Sequence, residues 1–292
     1  MAIATETAKC VIRRAAPADA EVCGRICYEA FATLNRRHNF PPDVPAPEHG
    51  VHLLSLMFSH PEFYCVVAEC GGKIVGSNCL DERGIIAGVG PITIDPTSQD
   101  SGIGRKLMAA VMDRAKDRKA AGMRLVQAAF HARSMSLYAK LGFDIREPLV
   151  VMQGAPLKKQ LEGYTVRPAT TGDVEACSRL CLRVHGHERS GELRDGIAQG
   201  FAMVVERGGE VVGYTSAMGF FGYSVAGSNG PMQALIAGAE QFLGPGFLLP
   251  TRNTELFRWC LNTGLRVVEP MTLMTVGLYN EPAGAYLPSI LF

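Results

Sequence analysis

The stretch that decides the fold is Gly90–Leu107, with the sequence GPITIDPTSQDSGIGRKL. Ile92 and Ile94 lie two residues apart, as in a short strand, which Asp95-Pro96 ends. After Thr97 and Ser98, the residues Gln99–Gly104, QDSGIG, lead into a segment with the apolar spacing of a helix. The stretch therefore predicts a strand, a glycine turn and a helix. Such an order brings unpaired backbone amides and the positive end of a helix dipole to one point, which suits a pyrophosphate.

A second motif follows 27 residues after Gly104. His131–Phe143 reads HARSMSLYAKLGF. Leu137, Tyr138 and Leu141 share one face of a predicted helix, and Gly142 suits the position after the end of a helix.

Together, Q-x-x-G-x-G after a strand and L-Y-x-K-L-G-F after an intervening strand and helix resemble the GNAT superfamily of acyl-CoA-dependent N-acyltransferases. The resemblance covers most of residues 9–153. It implies an α/β fold in which a mixed, mostly antiparallel sheet is flanked by helices. It also implies acetyl-CoA as the acyl donor, and a small-molecule amine as the acceptor.

The resemblance assigns roles to residues that match its motifs. Those expected to bind acetyl-CoA are Ile92 and Ile94, whose strand pairs with pantetheine, and Gln99, Gly102, Ile103, Gly104 and Arg105, which line the pyrophosphate. Tyr138 matches the general acid that donates to the departing sulfur. His131 stands where the family often has Asn, so a contact that depends on Asn is not carried over.

The chain also repeats itself. Ile12–Cys27 and Val166–Cys181 are identical at seven of sixteen positions, and Gly71-Gly72 parallels Gly208-Gly209 as a hairpin turn. Leu141-Gly142-Phe143 parallels Thr263-Gly264-Leu265 in the same way. We therefore predict two tandem GNAT-like domains, at residues 1–155 and 164–292, joined by a linker at 156–163. The second copy lacks the Q-x-x-G-x-G motif, so we expect it to be degenerate and not to bind acyl-CoA.

The segment Asn35–His49 contains four prolines and is predicted to be a loop. In the resembled family this region borders the acceptor pocket, so Arg36, Arg37, His38 and Phe40 are candidates for binding the acceptor. A solvated loop is the alternative. The general base stays open among Glu69, Asp81, Glu82 and His38.

The bulk composition restricts the classes of function. The net charge of +1, from 29 basic and 28 acidic residues, argues against nucleic acid as a partner. No apolar run approaches the roughly 20 residues of a membrane span, and Met1–Lys9 lacks the features of a signal peptide. We therefore expect a cytoplasmic protein with no membrane partner, and a homodimer is left open.

The sequence also bears on metal binding, on the apolar end of the chain and on alternative functions. His185-Gly186-His187 lacks a third ligand at a suitable spacing, and the nine cysteines are expected to be small buried residues, so no metal site is predicted. The apolar end, Ala285–Phe292, is expected to dock on this chain or on a partner. The leading function is an acetyl-CoA-dependent N-acetyltransferase. The alternatives are a non-catalytic acyl-CoA-binding or sensing protein and an interaction scaffold.

Overall fold

The computed structural model describes residues 10–291 of the chain. Phe292 and Met1–Lys9, the segment on which the expected absence of a signal peptide rests, lie outside the described residues.

Strands and helices are interspersed along the described residues. The strands are β1 (Cys10–Arg14), β2 (Phe63–Cys70), β3 (Lys73–Asp81), β4 (Ile86–Val89), β5 (Thr93–Ile94), β6 (Gly122–Ala128), β7 (Asp144–Gln153), β8 (Thr165–Pro168), β9 (Met203–Arg207), β10 (Glu210–Thr215), β11 (Ser224–Ala226), β12 (Phe247–Pro250), β13 (Arg266–Gly277) and β14 (Ala285–Leu287). The helices are α1 (Ala20–His38), α2 (Pro47–Ser59), α3 (Ile103–Asp117), α4 (Ala132–Lys140), α5 (Val174–His185), α6 (Ser190–Ala198), α7 (Asn229–Gly238) and α8 (Thr254–Asn262).

Two copies of one element order follow each other, which confirms the tandem α/β fold. Apart from β5, which lies between β4 and α3 and has no counterpart in the described part of the second repeat, the order β1-α1-α2-β2-β3-β4-α3-β6-α4-β7 recurs as β8-α5-α6-β9-β10-β11-α7-β12-α8-β13. Gly71-Gly72 and Gly208-Gly209 all have positive φ, as tight hairpin turns require, and Gly142 and Gly264 both have φ 92°. The glycines that revealed the repeat in the sequence therefore stand at matching turns.

The chain divides into two compact units, and these differ from the two repeats. One unit runs to Glu82 and includes Val89–Lys119, whereas the other consists of Arg83–Gly88 and the chain from Ala120 onward. The second unit thus contains β6, α4 and β7 of the first repeat. The boundaries predicted at residues 155 and 164 follow the repeat and stay predictions.

In the first unit, β2 pairs with β1 on one side and β3 on the other, both antiparallel. β5 is antiparallel to β3, and among the described residues it pairs with no other strand. Gly76 allows this pairing, because a Cβ on Gly76 would lie 2.6 Å from the carbonyl oxygen of Thr93. Ile94 lies on β5, but Ile92 falls two residues before Ile94 and outside the strand, which corrects the longer predicted strand.

The second unit holds two sheets. One has the order β14-β11-β10-β9-β8 and is antiparallel throughout. In the other, β13 lies between β6 and β7, and β7 in turn lies between β13 and β12. Each repeat therefore places its last strand within the pairing of the other. The central segment Leu149–Met152 of β7 is apolar and buried at every position, as expected for a strand covered on both faces.

An arginine, an aspartate and a glutamate form the same ion-pair group in each repeat. Arg13 bonds both carboxylate oxygens of Asp19, at 2.7 and 3.0 Å, and also bonds Glu69. Arg167 bonds Asp173 at 2.9 and 2.8 Å, and also bonds Glu206. The group ties the first strand of each repeat to the start of the first helix and to the second strand, which explains why these residues match between the copies.

The cysteines differ in part from expectation. Cys10 and Cys70 are register partners of β1 and β2 and are joined by a disulfide, whereas the other seven are free and buried. The bonded pair is 60 residues apart in sequence, so no local spacing pointed to it.

We predict that Asp173→Asn lowers the free energy of unfolding by about 1–2 kcal/mol at neutral pH, because the half-buried guanidinium of Arg167 loses a charged acceptor. Hydrogen bonds from Arg167 hold the pKa of Asp173 below its ordinary 3.8. The wild-type advantage is therefore present above that value and is lost as the pH falls below it. Urea denaturation between pH 2.5 and 7 measures this. Glu175→Gln, which removes the exposed pair with Arg179, is the control and should change little.

We also predict that Gly76→Ala destabilises the protein by about 1–3 kcal/mol, because the new methyl group would force β5 away from β3. Gly227→Ala is the matched control, since its Cβ would meet nothing closer than 4.0 Å. Equal urea midpoints for the two variants would contradict the close packing of β3 on β5.

Candidate functional site

The segment between β5 and α3 forms a backbone turn with two residues in left-handed conformations. Asp100 has φ 66° and Gly102 has φ 78°. The turn is held from within, because Asp95 accepts a hydrogen bond from the amide of Thr97 and Ser101 donates to the carbonyl oxygen of Ser98. Successive amides in such a conformation form a concave site for an anion.

The turn ends at an open helix N-terminus. Gly102 is the N-cap of α3, so no side chain caps this end, and the first turn contains no acidic residue. Ile103 and Gly104 are buried against the protein, and Arg105 and Lys106 are exposed beside them. The partial positive charge of the helix start is therefore not neutralised locally, and two cations add to it.

Within residues 10–291, no strand pairs with the edge of β5 that faces away from β3, next to this turn. Thr93 and Asp95 face β3, since Asp95 donates its amide to Val75 and Thr93 pairs with Ser77. Backbone groups alternate in direction along a strand, so the amide and carbonyl of Ile94 point away from β3. The structure thus brings together Ile94, Gln99 and Gly102–Arg105 as one continuous surface of the first unit.

Tyr138 belongs to the second unit and lies on α4. Its side chain is 6% exposed and packs against Phe143 with ring centroids 6.3 Å apart. Burial raises the pKa of Tyr138 above its ordinary value of 10.0. The phenol is therefore protonated at neutral pH. The equivalent position on α8 is Cys260, which has no hydroxyl to donate.

Both ends of the predicted acceptor loop are helical, which corrects the sequence interpretation. α1 continues through His38 and ends at Asn39, which has φ 59°, and α2 begins at Pro47. Arg36, Arg37 and His38 therefore occupy the exposed last turn of a helix, where basic side chains are favoured by the helix dipole. The loop itself is limited to residues 39–46. The start of α2 was not predicted from the sequence, because Pro47 is the first residue of a helix rather than a residue that breaks one.

Two of the four candidates for the general base are held in ion pairs. Glu69 accepts a hydrogen bond from Arg13 at 2.9 Å, and Glu82 bonds both Arg114 and Arg118. These carboxylates stabilise the first unit in the described structure. His38 is exposed at the end of α1, and Asp81 is buried at the end of β3.

Buried ionisable groups of the second unit were missed as functional candidates. Nε2 of His185 is 2.9 Å from the hydroxyl of Tyr223, and burial lowers the pKa values of His185 and His187, the latter to about 4. Glu147 is 2% exposed, and burial raises its pKa to about 6. The sequence did carry one signal, because Glu147-Pro148 and Glu269-Pro270 match in the repeat.

Within the described part of the chain, the second repeat has no counterpart of β5 between β11 and α7, and both edges of β11 are paired. β14 pairs antiparallel with β11, with Val225 opposite Tyr286, and β10 covers the other edge of β11. The apolar end of the chain, through Leu287, therefore docks on this same chain. α7 begins at Asn229-Gly230-Pro231, as expected, in place of the glycine turn.

Two structural features are absent from the described residues. Within residues 10–291, no helix is long and apolar enough to cross a membrane. The same described residues contain no group of three or more His, Cys, Asp or Glu side chains that could hold a metal ion.

Comparisons with known proteins agree with this geometry. Residues 28–143, which include the turn before α3 and Tyr138, match the model of the Acetyltransferase (GNAT) family. An IAA acetyltransferase of Azospirillum brasilense is 29% identical over 119 residues, which are 40% of this chain and 78% of the relative.

Solved structures share the fold over nearly the whole chain. A protein of Pyrococcus horikoshii assigned as an acetyltransferase has a TM-score of 0.74 at 19% identity, covering 97% of this chain and 96% of its own. A GCN5-related N-acetyltransferase of Sphaerobacter thermophilus has a TM-score of 0.61 at 16% identity, covering 93% and 96%. A tandem GNAT protein of the clavulanic acid biosynthesis pathway has a TM-score of 0.54 at 16% identity, covering 92% and 98%. Residues 28–143 thus match the GNAT acetyltransferase family, and the chain shares its fold with a tandem GNAT protein.

Proposed function

We propose that the chain is an acetyl-CoA-dependent N-acetyltransferase that acts on the amine of a small acceptor. The observation that carries the proposal is the uncapped, acid-free start of α3, preceded by the left-handed residues Asp100 and Gly102. The family match over residues 28–143 supports acyl transfer as the reaction class.

In this proposal the backbone from Gln99 to Arg105 holds the pyrophosphate of the donor. The amides of Ile103, Gly104 and Arg105 lack partners inside the helix, so they are available to phosphate oxygens. The outward-facing backbone groups of Ile94, with Ile92 two residues earlier in the chain, bind the pantetheine arm as an added strand. Pairing of this kind needs the free edge that β5 has.

The reaction forms a C–N bond and breaks the C–S bond of the thioester. The acceptor amine must lose one proton, and the departing sulfur must gain one. Tyr138 is the proposed proton donor to sulfur. Reference pKa values of about 10 for tyrosine and about 8.5 for a thiol make full transfer uphill by roughly 2 kcal/mol, and burial of Tyr138 adds to that difference. A hydrogen bond to the developing negative charge on sulfur still stabilises the transition state.

The residues that bind the acceptor are proposed from the end of α1. Arg36, Arg37, His38 and Phe40 stay proposed acceptor residues, now on the last turn of α1 and just after it rather than on a long loop. The cytoplasmic location and a homodimer also stay predictions from the sequence.

The alternative proposal is a protein that binds or senses acyl-CoA and does not catalyse acyl transfer. It uses the same turn and the same strand edge, so donor binding is common to both proposals. The two differ in whether Tyr138 affects a rate.

We predict that Gly102→Glu weakens acetyl-CoA binding on the order of 100-fold, because a carboxylate then faces the phosphates. Gly72→Glu is the matched control. It adds the same charge at a glycine with nearly the same φ, 77° against 78°, and neither position has a neighbour within 4 Å of a new Cβ. Binding is measured by calorimetry. Equal affinity in the two variants would remove the turn from the donor site.

We predict that Tyr138→Phe lowers kcat on the order of 100-fold and leaves the KM for acetyl-CoA nearly unchanged, because only proton donation to sulfur is lost. Thiol release is followed with a panel of primary amines, and Tyr164→Phe serves as the control. A wild-type protein that binds acetyl-CoA but releases no thiol with any amine would favour the sensing alternative. A Tyr138→Phe variant with wild-type kcat would show that Tyr138 only packs.

A further inference from the structure

The second unit contains a cavity of about 570 Å³ that the proposed acyl transfer does not use. The cavity lies where the chain enters α7 and α8. Its wall is formed by the starts of both helices, the end of β12 and the segment that leads into β14. Its volume is within the usual range for sites that hold small molecules.

The cavity cannot hold an acyl-CoA arm as a strand added to β11, because both edges of β11 are already paired. Such an arm needs a free strand edge, and β11 is paired on one side with β10 and on the other with β14. β14 also contacts β12. A ligand of this cavity must therefore be compact and must bind through side chains.

Carboxylates dominate the charge of the lining. Glu147, Glu255 and Glu281 line the cavity, against a single lining guanidinium, that of Arg252. Arg252 is 55% exposed and bonds Glu281 at 2.6 Å, with Glu147 at 3.2 Å from its Nε. Since three carboxylates face one arginine, the cavity attracts cations.

The buried part of the lining has acceptor capacity that this chain does not fill. Glu147 lines the cavity yet is only 2% exposed, so it lies at the floor. Tyr286 also lines the cavity and is 5% exposed, and its hydroxyl has no hydrogen-bond partner among the described residues. A buried hydroxyl without a partner costs free energy unless a ligand or a water molecule satisfies it.

Polar side chains at the starts of α7 and α8 already have hydrogen-bond partners. Asn253 caps α8 by accepting from the amide of Leu256, and it donates to Asn229, which in turn donates to Glu255. That chain of hydrogen bonds fixes the rim. It leaves Glu147 and Tyr286 at the floor as the groups that can receive a ligand.

We propose that this cavity binds a small organic cation through a primary ammonium group, with Glu147 and the hydroxyl of Tyr286 as the buried acceptors and Glu281 at the rim. An ammonium group carries three N–H donors and no acceptor, which matches carboxylates and a phenol oxygen. The site is independent of the acyl-donor turn in the first unit.

The probe is 1,4-diaminobutane, titrated calorimetrically into the full chain without acetyl-CoA. Butane-1,4-diol has the same length without charge, and succinate has the opposite charge. We expect heat of binding from the diamine alone. No binding of the diamine at millimolar concentration, or stronger binding of succinate, would overturn the proposal; the latter would indicate an anion site at the start of α7.

Variants locate the binding. Glu147→Gln keeps the shape of the side chain and should weaken the diamine about tenfold or more, because a charged acceptor is lost at the floor. Glu281→Gln changes a rim residue that is 64% exposed, so folding is not at risk, and it should weaken binding several-fold. Glu240→Gln, at 80% exposure outside the cavity, is the matched control and should leave binding unchanged.

The outcome is separate from that of the proposed function. Gly102→Glu should lose acetyl-CoA and keep the diamine, whereas Glu147→Gln should lose the diamine and keep acetyl-CoA. Equal affinity of the wild type and Glu147→Gln for the diamine would reject the site whatever the enzyme assay shows.

Discussion

The pairing of β13 with both β6 and β7 is the constraint on which the second unit depends. β13 comes from the second repeat, yet its two neighbours, β6 and β7, come from the first repeat. On its other edge, β7 pairs with β12 of the second repeat. The repeats cannot be parted at the predicted linker without breaking backbone hydrogen bonds on both edges of β13. This gives a physical reason to retain a second repeat that lacks the donor motif, because it supplies a strand that β6 and β7 need.

The two repeats have diverged most at one equivalent place. In the first repeat, β5 leaves the backbone of Ile94 free and a glycine turn opens the next helix. In the second repeat, β14 closes the edge of β11, and the helix begins with Asn229-Gly230-Pro231. The first arrangement suits an extended anionic ligand. The second leaves a short cavity walled by carboxylates.

Much of the fold followed from local sequence signals. The repeat, the glycine hairpins and the helix that follows Gly102 all depend on neighbours in the chain, so their patterns were visible. The exchange of β7 and β13, the disulfide between Cys10 and Cys70, and the docking partner of Ala285–Leu287 depend on contacts between distant segments, and no periodicity encodes them. The end of α1 was misjudged for a local reason, since the prolines begin only at Pro41 and Arg36–His38 are good helix C-terminal residues. The glycine turn before α3 was predictable as a motif, whereas the acidic cavity combines residues from five strands and helices and from the connections beside them, and was not.

The central claim is that one repeat binds the acyl donor and the other does not. Calorimetric titration of acetyl-CoA into the wild-type chain tests it most directly, because the measured stoichiometry counts donor sites. The structure predicts one site per chain, since β5 has a free edge and β11 has none. Two sites per chain would contradict the closure of the second repeat by β14, and no binding at all would contradict the assignment of Gln99–Arg105 as the donor site.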